Sequence, residues 1–369
     1  MTSHSLNIAD TARLIWPDYR PTPLIELPLL ARECGVARVM IKLENERPLG
    51  NFKSLGGMYA GLWALSQASG SGDIGALLAD PPAGLPSLIC ASDGNHGLAV
   101  AAAARRVGAG AIIYLHDQVP PARAERIAAL GARVVQVRGT YDDAVAAAAA
   151  DASGLVIADT SDRLDDAIVA RVMQGYGLIA SEIRDQLAAD GRDYPTHMFV
   201  QAGVGGFAAA IAGHMAVMLG DRRPKAVVVE PRRSACVYAS VQAGRPVTIA
   251  NQQPTVMTML ECAEPSLVAW RVLARVGDAF MTVDEKDAVA VMKRLARPLG
   301  NDPAIVSGES GGVGLAGLAR AAGDRQMRAA LGLDAGSRVL VINSEGATDH
   351  GRFAELVGMA PAEVFLQTA

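Results

Sequence analysis

The chain has 369 residues, half of them hydrophobic and a fifth charged, with a net charge of −4. That is globular composition on a length that suits two compact domains or one large one, and it excludes a disordered chain. The mild acidity, the six phenylalanines and the lack of any Lys/Arg run interleaved with aromatics argue against nucleic acid or an anionic membrane as partner.

Cys34, Cys90, Cys236 and Cys262 are far apart and form no CxxC pair. Reduced thiols in a cytoplasmic setting are therefore expected, rather than a zinc ribbon or a disulfide framework. The opening "MTSHSLNIADTARL" lacks the apolar core of a signal peptide, and no apolar run is long enough to span a bilayer, so a soluble protein is expected.

In chain order, the first informative stretch is "ENERPLGNFKSLGG", Glu44 to Gly57. Leu55, Met58, Leu62 and Leu65 recur at helical spacing behind Lys53, with Ser54 placed as a cap, so Lys53 stands at a helix entrance. Two readings are open. A Lys at a helix start is ordinarily a solvated surface charge, but the positive end of a helix disfavours an ammonium and would leave a nucleophilic amine. Gly56 and Gly57, inside the helix, each cost about 1 kcal/mol against Ala, which hints that a ligand approaches the backbone there.

Residues 69–86, rich in Gly, Pro and Ser, read as a mobile connection. Strict alternation follows: strand "SLICA", turn "DGNHG", helix "LAVAAAARRVG", strand "AIIYLH", helix "PARAERIAALG", strand "RVVQVR", helix "YDDAVAAAAADA" and strand "GLVIAD". A second block runs from "MFVQA" through the "GVGG" loop, the helix "FAAAIAGHMAVML" and the strand "KAVVVE" to a late "RVLVINSEG". The pattern predicts an α/β fold of two open, twisted, mostly parallel sheets with helices on both faces and ligand-binding loops at the carboxyl ends of the strands.

Three strand-end turns could carry chemistry. "QAGVGGFAAAIAG" offers backbone N–H groups and a positive helix end to an anion such as a phosphate, yet it has neither the Lys-Ser/Thr of a triphosphate loop nor dinucleotide-fingerprint spacing. "ASDGNHG" gathers a carboxylate, an amide and an imidazole on one turn, which is either a plain chain reversal or a ligand contact. "VINSEG" sets Ser344 just beyond a strand.

Lysine, Asn loop, glycine loop and serine turn, in that order along nearly the whole chain, resemble the fold type II, tryptophan synthase β-like family of pyridoxal-phosphate enzymes, with "IKLENERPLGNFKSLGG" matching its lysine motif. Within it, "NFKSLGG", "ASDGNHG", "DTSD", "VMQGYG", "QAGVGG", "TVMTMLECAEPS" and "INSEGATD" are most similar to the diaminopropionate ammonia-lyases. "DTSDRLDDAIVAR" and "TMLECAEPS" depart from that pattern where side-chain selectivity would be set.

The resemblance implies pyridoxal 5'-phosphate as cofactor, in a cleft between a large domain (1–50 and 166–369) and a small mobile one (51–165). It implies that Lys53 forms the internal Schiff base, that Phe52 packs behind the ring, and that Asn95 bonds the ring hydroxyl. Gly203, Val204, Gly205, Gly206 and Phe207 would hold the phosphate through backbone amides, and Ser344 would face the pyridine nitrogen. A neutral hydroxyl there moderates the electron sink, which favours rapid loss of a β-leaving group over transamination. Asp93 is the better candidate acid for a departing amine and Asp159 the second, and a pair of acids would account for action on both enantiomers.

The implied reaction is α,β-elimination on 2,3-diaminopropionate or a similar small β-substituted amino acid, giving pyruvate and ammonia, in a homodimer without a metal. A threonine or serine dehydratase or a racemase of the same superfamily is the near alternative. A non-catalytic small-molecule sensor is the distant one. His96 is either a further acid or, more in keeping with a single histidine in a turn, a packing or hydrogen-bonding residue; Glu309 either lines the cofactor pocket or sits on a surface loop; and Cys262 packs rather than reacts.

Overall fold

The computed structural model describes residues 8–250 and 253–368. Its strands are β1 (Leu24–Glu26), β2 (Arg38–Leu43), β3 (Ser87–Ala91), β4 (Ala111–His116), β5 (Arg133–Val137), β6 (Gly154–Val156), β7 (His197–Gln201), β8 (Lys225–Pro231), β9 (Ala279–Val283) and β10 (Arg338–Asn343). The chain divides into two compact units, Met1–Arg20 with Lys53–Leu178 and Pro21–Phe52 with Ile179–Ala369. The last division falls inside the helix Ala167–Ala189, so no linker composition marks it.

In the smaller unit the sheet runs β5-β4-β3-β6, all parallel. Leu88, Ile89 and Cys90 of β3 are buried because helices cover the sheet, which is why "SLICA" reads as a continuous apolar run. The helix Lys53–Ala68 packs on the helix Asn95–Arg106, and its glycines set how closely. A Cβ on Gly57 would lie 2.6 Å from that of Ala99, and one on Gly61 2.8 Å from Leu88 Cδ1. On Gly56 it would strike the Tyr176 ring and come within 2.7 Å of the Val172 carbonyl. The close approach expected for a ligand is therefore made by neighbouring helices and β3.

Two local expectations change as well. Lys53 itself opens the helix and Ser54 is buried within it, so Ser54 is no cap. Residues 69–86 contain a short helix, Ile74–Ala79, because Asp73 accepts from the Ala76 amide at 2.8 Å while Ile74 and Leu77 share a buried face.

The larger unit holds a sheet ordered β1-β2-β10-β7-β8-β9, parallel except for the β1–β2 pair. Phe199, Val227, Val229, Val339 and Val341 form its core with Leu295, Val313 and Leu315. Each such side chain stabilises the fold by about 1.5–3 kcal/mol. Behind β2 lies a fully buried ionic network. Lys42 Nζ meets Glu182 Oε2 at 2.6 Å, and Arg47 Nη2 bridges Glu44 Oε1 and Glu182 Oε2 at 2.8 Å each. The Thr22 hydroxyl donates to Glu44 at 2.6 Å, and Lys42 also reaches the Thr22 carbonyl and the Gln186 amide oxygen. Lys42, Glu44 and Arg47 of the "KLENER" stretch thus hold the chain that leads to Lys53.

Candidate active site

In the smaller unit, β3 delivers the chain into the turn Ser92–Gly97. The turn is tight: a Cβ on Gly97 would collide with the Ser92 carbonyl, and the Gly94 amide donates to Ser92 Oγ at 3.3 Å. Asn95 is buried as the first residue of its helix. Asp93 extends from the turn to an ion pair with Arg123, Nη1 to Oδ2 at 2.6 Å.

Lys53 Nζ donates to Asp159 Oδ2 at 2.9 Å, with about a fifth of each side chain exposed. Burial alone would raise the Asp159 carboxyl, but the Lys53 charge and hydrogen bond hold it well below the usual carboxylate range. That carboxylate opposes the helix-end effect, so in this state the amine is an ion-pair partner rather than a bare nucleophile. His96 is buried, its Nε2 is 2.8 Å from the Ile157 carbonyl, and burial lowers its pKa. It is a neutral packing residue whose Nδ1 has no partner among the described residues.

In the larger unit, β7 ends at Gln201 and the glycine loop turns into the helix Gly206–Leu219. Gly205 has φ +91°, which L side chains rarely adopt, and a Cβ on Gly203 would lie 3.0 Å from Cys262 Sγ and 3.2 Å from Leu260 Cα. No side chain caps the helix, and the amides of Val204, Gly205 and Gly206 donate to nothing among the described residues. Open amides at a positive helix end suit a phosphate monoester. The Phe207 ring meets that of Phe52, centroids 4.3 Å apart.

Ser344 is 3% exposed, and its hydroxyl oxygen accepts from Gln201 Nε2 at 2.8 Å. The two hydrogens of Gln201 Nε2 are shared among the Ser344 oxygen and the carbonyls of Gly311 at 2.7 Å and Ile342 at 3.1 Å. The Ser344 hydrogen has no acceptor among the described residues, so it is available to an aromatic nitrogen bearing a lone pair. The Phe52 amide donates to the Ser344 carbonyl at 3.1 Å, which ties the residue before Lys53 to the serine turn.

A family model described as "Pyridoxal-phosphate dependent enzyme" matches residues 15–345. The chain belongs to that family. It is 35% identical over 353 residues to the diaminopropionate ammonia-lyase of Escherichia coli strain K12, covering 92% of this chain and 87% of the relative. The selenomethionine-incorporated holo form of the Escherichia coli diaminopropionate ammonia lyase superposes with a TM-score of 0.87 at 33% identity, covering 95% of this chain and 90% of that one. The same Escherichia coli enzyme in complex with an aminoacrylate-PLP azomethine reaction intermediate gives 0.84 at 33% identity, covering 97% and 94%.

Within the larger unit the residues present suit the cofactor of this pyridoxal-phosphate enzyme: the uncapped glycine loop offers open amides to a phosphate, and the Ser344 hydroxyl offers a hydrogen to an aromatic nitrogen. Among the described residues no cluster of His, Cys, Asp and Glu could hold a metal ion, and no helix is long and apolar enough to cross a membrane.

Three residues were given no role in the sequence. Arg123 lies thirty positions from Asp93, and nothing in "PARAER" marks it as that residue's partner. Gln201 carried a signal, a polar side chain ending an apolar strand. Tyr176, buried against Gly56, carried none. Glu309 is buried, so it is not on a surface loop, and Cys262 is half-buried against the glycine loop.

Proposed function

We propose that the chain eliminates ammonia from 2,3-diaminopropionate or a similar β-substituted amino acid, releasing pyruvate and ammonia, and that the Lys53–Asp159 pair is its catalytic centre. The carrying observation is that pair, a lysine amine 2.9 Å from a carboxylate at a helix entrance with both side chains reachable from solvent. Lys53 Nζ would hold the cofactor aldehyde, the amides of residues 203–207 its phosphate, Asn95 the ring hydroxyl and Ser344 the ring nitrogen, with Phe52 behind the ring. When bound, the cofactor supplies an electron sink for the pair left at the α-carbon.

The rest falls to the chain's own side chains. Asp159 takes the proton that frees Lys53 Nζ, and it is then placed to take an α-proton. Asp93 serves the β-amino group and the opposite enantiomer. Gln201 donates to the Ser344 oxygen, so the hydroxyl hydrogen is the part of Ser344 that would face the ring nitrogen when the cofactor is bound. The chain is further proposed to act in the cytoplasm as a homodimer; the buried unpaired thiols Cys34, Cys90 and Cys236 suit a reducing compartment.

The test is a keto-acid screen with both enantiomers of diaminopropionate, serine, threonine and cysteine. Diaminopropionate should be turned over best, and Lys53→Ala should abolish turnover along with the visible absorption that borohydride bleaches in the native protein. A colourless protein that binds amino acids without product would instead make it a sensor. Light scattering on the purified chain reads the oligomeric state.

A further inference from the structure

We propose that Arg123 sets substrate selectivity by standing in for the substrate's second ammonium: it occupies the Asp93 carboxylate in the resting enzyme and yields it to a β-ammonium. This rests on the reading of Asp93 given above. Arg123 offers only one of its donors, Nη1, to one oxygen, Oδ2, at 2.6 Å, and Asp93 Oδ1 makes no hydrogen bond among the described residues. The pair is not bidentate, and its side chains are 32% and 26% exposed. Such a part-exposed, single-bonded pair is weak, unlike the buried network around Arg47, so a competing ammonium can displace it.

The two partners differ in mobility. Asp93 sits on a turn locked by the approach of Gly97 to the Ser92 carbonyl, so it cannot follow a departing partner. Arg123 has a long side chain in the first turn of the helix Pro121–Ala128, where no acidic residue offsets the positive helix end. A cation is disfavoured there, and Asp93 is the group that holds it. The movable member of the pair is the arginine.

The chemistry agrees. In the elimination the Cβ–N bond breaks with both electrons going to nitrogen, so a β-ammonium departs as neutral ammonia and needs no further proton. A β-hydroxyl must gain a proton to leave as water, and a carboxylate engaged by a guanidinium has none to give. Arg123 thereby keeps Asp93 suited to an ammonium and unsuited to serine or threonine.

Steady-state kinetics of Arg123→Gln and Arg123→Lys on diaminopropionate and serine test this. In R123Q the KM for diaminopropionate should fall about two- to fivefold, the factor expected for one part-exposed ion pair, with kcat nearly unchanged. Serine turnover should rise relative to diaminopropionate, and R123K should stay near the parent. Calorimetric binding of diaminopropionate to Lys53→Ala should tighten by the same factor when R123Q is added; if R123Q does not fold, Arg123→Met takes its place in both measurements. An unchanged or raised KM and an unchanged affinity, alongside a large loss in Asp93→Asn, overturn the role of Arg123 and leave the function standing. Full activity in D93N would remove Asp93 from the site and the inference with it.

Discussion

Glu230 is fully buried, and among the described residues its carboxyl group accepts only from the amides of Val237 and Tyr238, at 2.8 and 2.6 Å, at the start of the helix Cys236–Ala243. Burial pushes its pKa up to about 8, the two amide bonds pulling the other way. Because the folded value exceeds the unfolded one, its contribution to stability is complete below the unfolded pKa, near 4.5, and is lost as pH rises through 8. Glu230→Gln should therefore flatten the decline in melting temperature between pH 5 and pH 9 and gain most at the alkaline end, which a pH series of thermal melts reads. At the same scale, Gln201→Leu would free the Ser344 oxygen from its donor. Its expected result is weaker cofactor retention with normal folding, measured by dialysis and absorbance.

At the scale of elements, the fold was legible in most strands that are covered on both faces, although β2, buried from Val39 to Leu43, was not read as a strand. β3, β4, β7, β8 and β10 read as apolar runs because every residue of a sandwiched strand meets a helix or a neighbouring strand. β1 was not legible: three residues on an antiparallel edge carry no period, and their pairing with β2 is a tertiary choice. Gly56 and Gly57 carried a real signal that was assigned to the wrong partner, since sequence shows that something comes close but not what. The glycine loop, the lysine and the serine turn stood out because each needs a special backbone or a strand end. Arg123 and Gln201 act only through partners far along the chain. Gly56→Ala should destabilise the protein by about 1–3 kcal/mol by overpacking against Tyr176 and the Val172 carbonyl, seen as a lower denaturant midpoint with unchanged slope. Gly205→Ala should cost about 1–2 kcal/mol for the left-handed backbone.

For the molecule as a whole, the buried charges behind β2 are balanced, two cations against two anions, so each is safe only while the others remain. Lys42→Met would leave Glu182 sharing one cation instead of two, and a loss of about 3–5 kcal/mol is expected in equilibrium denaturation. Burial raises the Glu182 carboxyl, but Arg47 and Lys42 bring it below its ordinary value. Its contribution is thus present above the unfolded pKa and lost as pH falls through the folded one, so acid should unfold the parent cooperatively and Glu182→Gln should shift that transition. The loop from Gly203 to Gly206, by contrast, has only peptide groups and the aliphatic Val204 side chain, and contains nothing that titrates. Whatever anion it grips, its own half of the bond is indifferent to acidity, so across neutral pH a rival such as inorganic phosphate gains or loses ground only through its own protonation.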